Sequence, residues 1–379
     1  MKPASPALVT YLTRRQQKYA DCYEFVLRDD VDNPTVLRYT TATSNVRAIP
    51  PGEMEYVTYE AGRVLVSGGP GIDPLLVQGA MVLLIVALAF KVAAVPFHFW
   101  TPDVYEGAPT PVTAFMAGAV KAAAFAVLAR VVLTLARAPL LAGLDVSPGD
   151  LLLGLSVLSM VVGNVLGIVQ DNVKRILAYS SIAHAGYLLL GVWATQSLAG
   201  VPGVQTLNDA VPFYLLAYAV ATVGAFGVLA LLGRAGEEDL SLPRIAGLGR
   251  RHPALGAALL VSVLSLAGLP PLGGFLAKFH LFKQILVAAP DRALPWVVLA
   301  VLMSVVALYY YLRILLYAYF REPEDTPAEA IPGAAGSLAL AGVVVLTLLL
   351  GIAPGRFLLA SRSAAQAAVL SPPAAAVAP

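Results

Sequence analysis

Cysteine is almost absent from this chain, and charge is scarce. A single cysteine, Cys22, excludes an intrachain disulfide framework and any multi-cysteine metal or iron–sulfur cluster held by this chain alone. Charged residues make up 13% of the 379, about half the share usual in a soluble protein. The net charge of +2 gives no sign of a nucleic-acid partner. Walker motif, glycine fingerprint, HExxH and serine elbow are all missing, so nothing here is built to bind a nucleotide or hydrolyse a bond by itself. The first apolar run after Met1 is short and interrupted, and no secretory signal peptide is expected.

What is present is hydrocarbon. Hydrophobic residues reach 58% and the mean hydropathy is +0.76. From Pro74 onward eight apolar spans are expected, over 75–95, 112–135, 151–169, 176–194, 210–232, 254–287 with a break inside, 296–319 and 334–352. Most are long enough to cross a core of about 30 Å at about 1.5 Å per residue. The fold class is therefore an all-α polytopic membrane protein. Lys and Arg counted in alternate loops place Lys174, Arg175, Arg234, Arg244, Arg250, Arg251 and Arg321 on one side. Arg137, Lys283, Arg292, Arg356 and Arg362 fall on the other. That bias puts the 232–254 loop in the cytoplasm. The Ala/Pro-rich tail, 356–379, is expected to fray without a function.

Residues 1–73 do not match the rest. They hold 17 of the 48 charged residues and no run of membrane length. The segments Thr35–Thr43 and Tyr56–Val66, with Ala61-Gly62 as a turn, read as a few short strands. The competing readings are a poorly ordered extension or a stretch fused from another reading frame.

The chemistry-bearing residues are lysines in apolar runs. Lys121 lies nine residues past a helix start at Val112, about 14 Å along the axis and near the bilayer midplane. An unpaired ammonium there costs between about 3 and about 10 kcal/mol. It must face a bundle interior, meet water or a partner, or lose its proton; snorkelling falls short because the stem spans only about half the distance to either surface. Lys91 ends the first span just before Pro96, whose missing amide and ring break the helix. Carbonyls freed inside a membrane are tolerated where protein or a water-lined cavity satisfies them. Lys278 repeats the theme after Pro270, Pro271, Gly273 and Gly274. Each break carries a Phe-His pair, Phe97-His98 and Phe279-His280, with the order of proline and lysine reversed, the pattern of an inverted repeat.

Between the breaks, Ser180, His184 and Tyr187 share one helix face. His184 is a candidate proton relay, against the alternative of an interhelical hydrogen bond. Tyr214, Tyr218 and Thr222 form a second polar stripe that reads as bundle packing. His98 either lines the first cavity or caps the helix break. Asp103 and Glu106 read as loop and cap residues near a proton entrance.

The strings FKVAAVPFHFWTPDVYEGAPTPVTAF, DNVKRILAYSSIAHAGY, SLAGLPPLGGFLAKF and ALYYYLRILLY, with the Lys121 segment, resemble the antiporter-like membrane subunits of bacterial proton-pumping NADH–quinone oxidoreductase, respiratory complex I. Their wording is closest to subunit N, over about Pro74 to Gly355. The resemblance implies an antiporter-like helical bundle with two broken helices in a bacterial inner membrane. It implies proton translocation coupled to electron transfer from NADH to quinone in other subunits. Its broken-helix lysine falls on Lys91, its central lysine on Lys121 and its second broken-helix lysine on Lys278; His184 and Tyr179 fall in its connecting region. Neighbouring antiporter-like subunits and the lipid bilayer are the implied partners. No cofactor is expected in this chain, since NADH, FMN, iron–sulfur clusters and quinone belong to the rest of the complex. The family has fourteen spans, and those seen here correspond to the last eight. The helix whose buried glutamate pairs with the broken-helix lysine has no counterpart, and residues 1–73 do not align. The expectation is a fragment, a frameshift product or a misassigned start. The rival functions are a cation/proton antiporter subunit and a structural subunit that pumps nothing.

Overall fold

The computed structural model describes the backbone of residues 23–30, 33–41, 56–60 and 63–67, and the chain at 74–136, 147–196, 209–232, 240–323 and 333–369. Cys22, Arg137, Arg234, the expected turn at Ala61-Gly62 and most of the 232–254 loop's charged stretch lie outside the described residues. The chain divides into two compact units near residue 80.

The first unit contains four strands, β1 (Tyr23–Asp30), β2 (Asn33–Thr41), β3 (Tyr56–Glu60) and β4 (Arg63–Ser67). They form an antiparallel sheet in the order β1-β2-β3-β4, with Tyr23 opposite Thr41 and Tyr56 opposite Ser67. The Thr-, Tyr- and Val-rich segments thus pair as strands, the state in which such side chains pack well. The all-α reading applies from Pro74 onward.

The second unit is a helical bundle. Its elements are α1 (Pro74–Val92) from Met81 onward, α2 (Trp100–Gly107), α3 (Thr110–Phe115), a π-helical turn (Met116–Val120) and α4 (Lys121–Ala136). Then follow α5 (Pro148–Ile168), α6 (Val173–Gln196), α7 (Ala210–Ala230), the short α8 (Leu248–Arg251), α9 (Pro253–Ala267) and α10 (Gly273–Ala288). The bundle ends with α11 (Leu294–Phe320), α12 (Ala334–Ile352) and α13 (Gly355–Val369). Among the described residues six runs are long and apolar enough to cross a membrane: Thr110–Leu135, α5, Val173–Thr195, α7, α11 and α12. The count of eight is corrected for a physical reason. α1 has a shorter apolar stretch, Leu76–Val92, and the expected 254–287 span is two helices of 15 and 16 residues separated by Gly268 to Leu272.

α6 is the axis of the bundle. Every residue from Ser180 to Thr195 is buried, whereas α12 has 17% of its apolar window covered. It starts at Val173, earlier than its hydropathy implies, because Asn172 Oδ1 accepts from the backbone N–H of Lys174 and Arg175. Glycines let α5 close on it: a Cβ on Gly186 would lie 2.7 Å from Met160 N, and one on Gly163 would lie 2.7 Å from Ala183 N. Ser156 Oγ donates to Gly186 O across the same contact at 2.7 Å.

The tail departs from expectation. Residues 355–369 form a helix, with Ser361 and Ala365 buried. Its alanines favour helix, and Arg362 fixes it to Asp209 through a 2.8 Å ion pair.

Candidate functional site: a buried lysine–tyrosine–histidine row

Lys121 follows the π turn directly, and such turns widen a helix locally where a side chain must be re-aimed. It is 3% exposed. Its ammonium donates to the backbone oxygen of Ser181 on α6 at 2.7 Å and to Ser181 Oγ. It lies 5.8 Å above the Tyr218 ring. This buried cation thus meets neutral oxygens and a ring face.

Lys278 is 6% exposed and solves the same problem with the second break. α9 ends at Gly268, whose φ of +87° is a left-handed conformation suited to glycine. Gly268 N–H donates to Leu264 O and Ser265 O, and Leu269 N–H to Leu264 O. The carbonyl of Ala267 is left for Lys278 Nζ, which donates to it at 3.0 Å. The negative end of the α9 dipole therefore faces the ammonium. Tyr187 presents its ring 5.5 Å from the same nitrogen.

His184 stands on α6 between Ser181, which holds Lys121, and Tyr187, whose ring faces Lys278. Its Nδ1 is 2.8 Å from the Tyr214 hydroxyl and its Nε2 is 3.1 Å from that of Tyr311. Tyr311 in turn shares a hydrogen bond with Ser180. A cavity of about 10 Å³ opens beside the ring, lined among others by Tyr214, Tyr218, Leu266 and Gly274. That volume is at the lower limit for one water. Each bonded phenol can accept a proton on one lone pair while giving up its own.

Sequence-expected residues thus divide into two groups. Lys121, His184 and Lys278 are joined through α6, α7, α10 and α11. Lys91, His98 and Tyr179 stay at the first break. Lys91 is exposed in the last turn of α1, although Val92 to Val95 beside it are buried. His98 is buried, stacks on Phe99 at 4.7 Å, and its Nδ1 has no hydrogen-bond partner among the described residues. Tyr179 is half-buried and packs against Ala93, Val95 and Ile182.

Two expectations change, and two further residues enter the site. The Tyr214–Tyr218 stripe does more than pack, since it bonds His184 and flanks Lys121. Tyr311 and Ser181 were not singled out; the Tyr309–Tyr311 run inside an apolar span was the available signal. Asp103 and Glu106 lie in α2 instead of a loop, and both accept from Arg175 Nη1 at 2.7 Å, fastening α2 to the start of α6. Lys174 is buried beside them, donating to Ala108 O at 2.8 Å.

A family model described as the transmembrane part of NADH:quinone oxidoreductase and Mrp antiporter proteins matches residues 69–307. The chain belongs to the NADH:quinone oxidoreductase/Mrp antiporter family. NADH-quinone oxidoreductase subunit N 1 of Sorangium cellulosum is 47% identical over 290 residues, 76% of this chain and 55% of that relative. A chain in the structure of Thermus thermophilus respiratory complex I with bound aureothin is 42% identical, with a TM-score of 0.64 over 79% of this chain and 62% of that one. A chain of the Mrp complex from Dietzia shares the fold, with a TM-score of 0.63 over 79% of this chain and 61% of that one at 24% identity. The chain spans about half the length of the curated relatives of this family that it matches.

Proposed function

We propose that this chain is a membrane subunit of an NADH–quinone oxidoreductase, in a bacterial inner membrane, that moves protons while electrons pass from NADH to quinone in other subunits. The observation that carries the reading is the pair of enclosed ammonium groups, Lys121 and Lys278, each given neutral oxygen partners, on either side of a histidine bonded at both ring nitrogens. A structural cation in this position would be paired with a carboxylate. A lysine that must gain and lose its proton is better served by partners that hold either form.

In this reading Lys121 is the central proton carrier and Lys278 the carrier on the exit side. His184 relays between them through Tyr214 and Tyr311. Lys91 acts as a gate on the entry side, with His98 and Tyr179 near it. Neighbouring antiporter-like subunits of the complex are the proposed partners, and the 232–254 loop faces the cytoplasm. Residues 1–73, 74–355 and 356–379 are proposed as separate parts of the chain, the middle one carrying transport.

The fold likeness to the Mrp complex supports a second reading, a cation/proton antiporter subunit. Transport in membrane vesicles separates the possibilities. Lys121→Met is expected to abolish this chain's contribution to proton pumping driven by NADH oxidation. Full pumping in that variant defeats the proposal and leaves a structural subunit; pumping that requires added Na⁺ and ignores NADH supports the antiporter.

A further inference from the structure

Asn164 is a fully buried amide on α5 that the row described above does not use. It stands between Gly163 and Gly167, and each glycine admits a neighbouring helix. A Cβ on Gly163 would lie 2.7 Å from Ala183 N of α6, and one on Gly167 would lie 3.1 Å from Tyr310 Cε1 of α11. Asn164 Nδ2 donates to Met160 O on its own helix at 2.7 Å and to the Tyr187 hydroxyl at 3.3 Å. With the amino group so committed, Oδ1 turns the other way and accepts from the Tyr310 hydroxyl at 3.0 Å.

We propose that Asn164 is a positioning residue for proton transfer at Lys278: it holds Tyr187 by the hydroxyl, so that the ring keeps its face on the ammonium. The inference rests on the proton-translocation reading. Contacts on the ring itself support it. Lys278 Nζ lies 5.5 Å from the centroid of the Tyr187 ring. Phe282 follows Lys278 by four residues on the same face of α10 and meets that ring edge-on at 6.0 Å. His184 meets it at 5.7 Å with the two planes 82° apart. Packing thus sets where the body of the ring sits, and Asn164 fixes its hydroxyl end.

The tilt of the ring matters because the two partners of Lys278 differ in kind. The Ala267 carbonyl takes a hydrogen bond from an amine as well as from an ammonium, whereas a ring face attracts the charged form. The angle of Tyr187 therefore bears on how firmly Lys278 keeps its proton. A phenol hydroxyl deprived of its partner in an apolar interior costs free energy, and the ring gains by tilting toward another oxygen. A carboxamide neither gains nor loses a proton here, so Asn164 acts through Tyr187 and is not a further carrier.

The competing role is a polar pin between α5, α6 and α11. Tyr310→Phe is the control, since it removes a bond from the same amide and leaves the Tyr187 side intact. In vesicles containing the assembled complex, Asn164→Leu is expected to lower this chain's share of NADH-driven pumping several-fold, with NADH–quinone reductase activity normal. Tyr187→Phe keeps the ring, removes the hydroxyl, and is expected to match that loss. The double variant is expected to lose no more than either single one, and Tyr310→Phe to pump normally. If Asn164→Leu does not assemble, Tyr187→Phe is read against Tyr310→Phe by the same criterion. Normal pumping in Asn164→Leu or Tyr187→Phe, losses that multiply in the double variant, or an equal loss in Tyr310→Phe overturns the positioning role. Should Lys278→Met itself pump normally, the translocation reading fails and takes the inference with it. Should Lys278→Met lose its share while Tyr187→Phe does not, the positioning role alone fails.

Discussion

The two helix breaks are alike in composition and different in what they do with their lysine. At the second, α9 stops at Gly268, and the Ala267 carbonyl is left for Lys278, which sits on the helix that resumes. At the first, the chain satisfies its own freed carbonyls. Phe90 O accepts from Ala93 N–H and from the Trp100 indole, and Ala89 O accepts from Ala94 N–H. Lys91 precedes that break, on the helix that ends, and remains exposed. A proline break therefore does not by itself make a cation site. The order of lysine and break decides whether the stem folds back over the open helix end or leads away from it.

Substitutions can break or sharpen this contrast. The largest effect is expected from Lys278→Met, which removes the ammonium from the closed site: this chain's share of pumping should fall by about tenfold or more, as for loss of a proton-transfer group, with quinone reduction retained. Unchanged pumping would make the second break merely structural. Gly268→Ala comes next. Its left-handed φ costs a non-glycine residue about 1 to 2 kcal/mol, and the new Cβ would lie 2.9 Å from Lys278 Cδ. Lower thermal stability of the subunit together with several-fold slower pumping is expected; a fully stable, fully active variant would contradict the packing described.

Tyr311→Phe and Tyr310→Phe form a matched pair of intermediate size. Both rings are buried, but the Tyr311 hydroxyl meets His184 and Ser180 whereas that of Tyr310 donates to Asn164 Oδ1 at 3.0 Å. Loss of either bond costs about 1 kcal/mol of stability, while only Tyr311→Phe is expected to slow pumping. Equal effects would remove the phenol from the relay. The smallest effect is assigned to Lys91→Met. In the proposed role, an exposed gate would slow entry without closing the inner row, so pumping should drop less than in either buried-lysine variant, as initial rates in vesicles would show.

Much of this was legible in the sequence because cost is legible. A charge in hydrocarbon is rare enough that Lys121 and Lys278 declared themselves, and Pro270 with Gly273 located the second break. The ends of α12 matched its hydropathy to the residue. What could not be read were contacts between distant segments. His184 and Tyr311 are 127 positions apart, and Arg175 meets Asp103 across 72. Helical periodicity shows which residues share a face, not which face of another helix will meet it. Tyr214 looked like packing because its partner nitrogen lies on another helix. The tail misled for a related reason: alanine-rich composition is equally compatible with a frayed end and with a helix, and the deciding ion pair to Asp209 is 153 positions away.

The claim on which all of this depends is that Lys121 and Lys278 serve a single path through His184. A double-variant comparison of protons moved per NADH oxidised, in vesicles containing the complex, tests it most directly. If one path joins them, Lys121→Met and Lys278→Met each remove this chain's whole share, and the double variant loses no more than either. Losses that add, each single variant leaving a part that the double removes, would show that the two lysines work on separate routes.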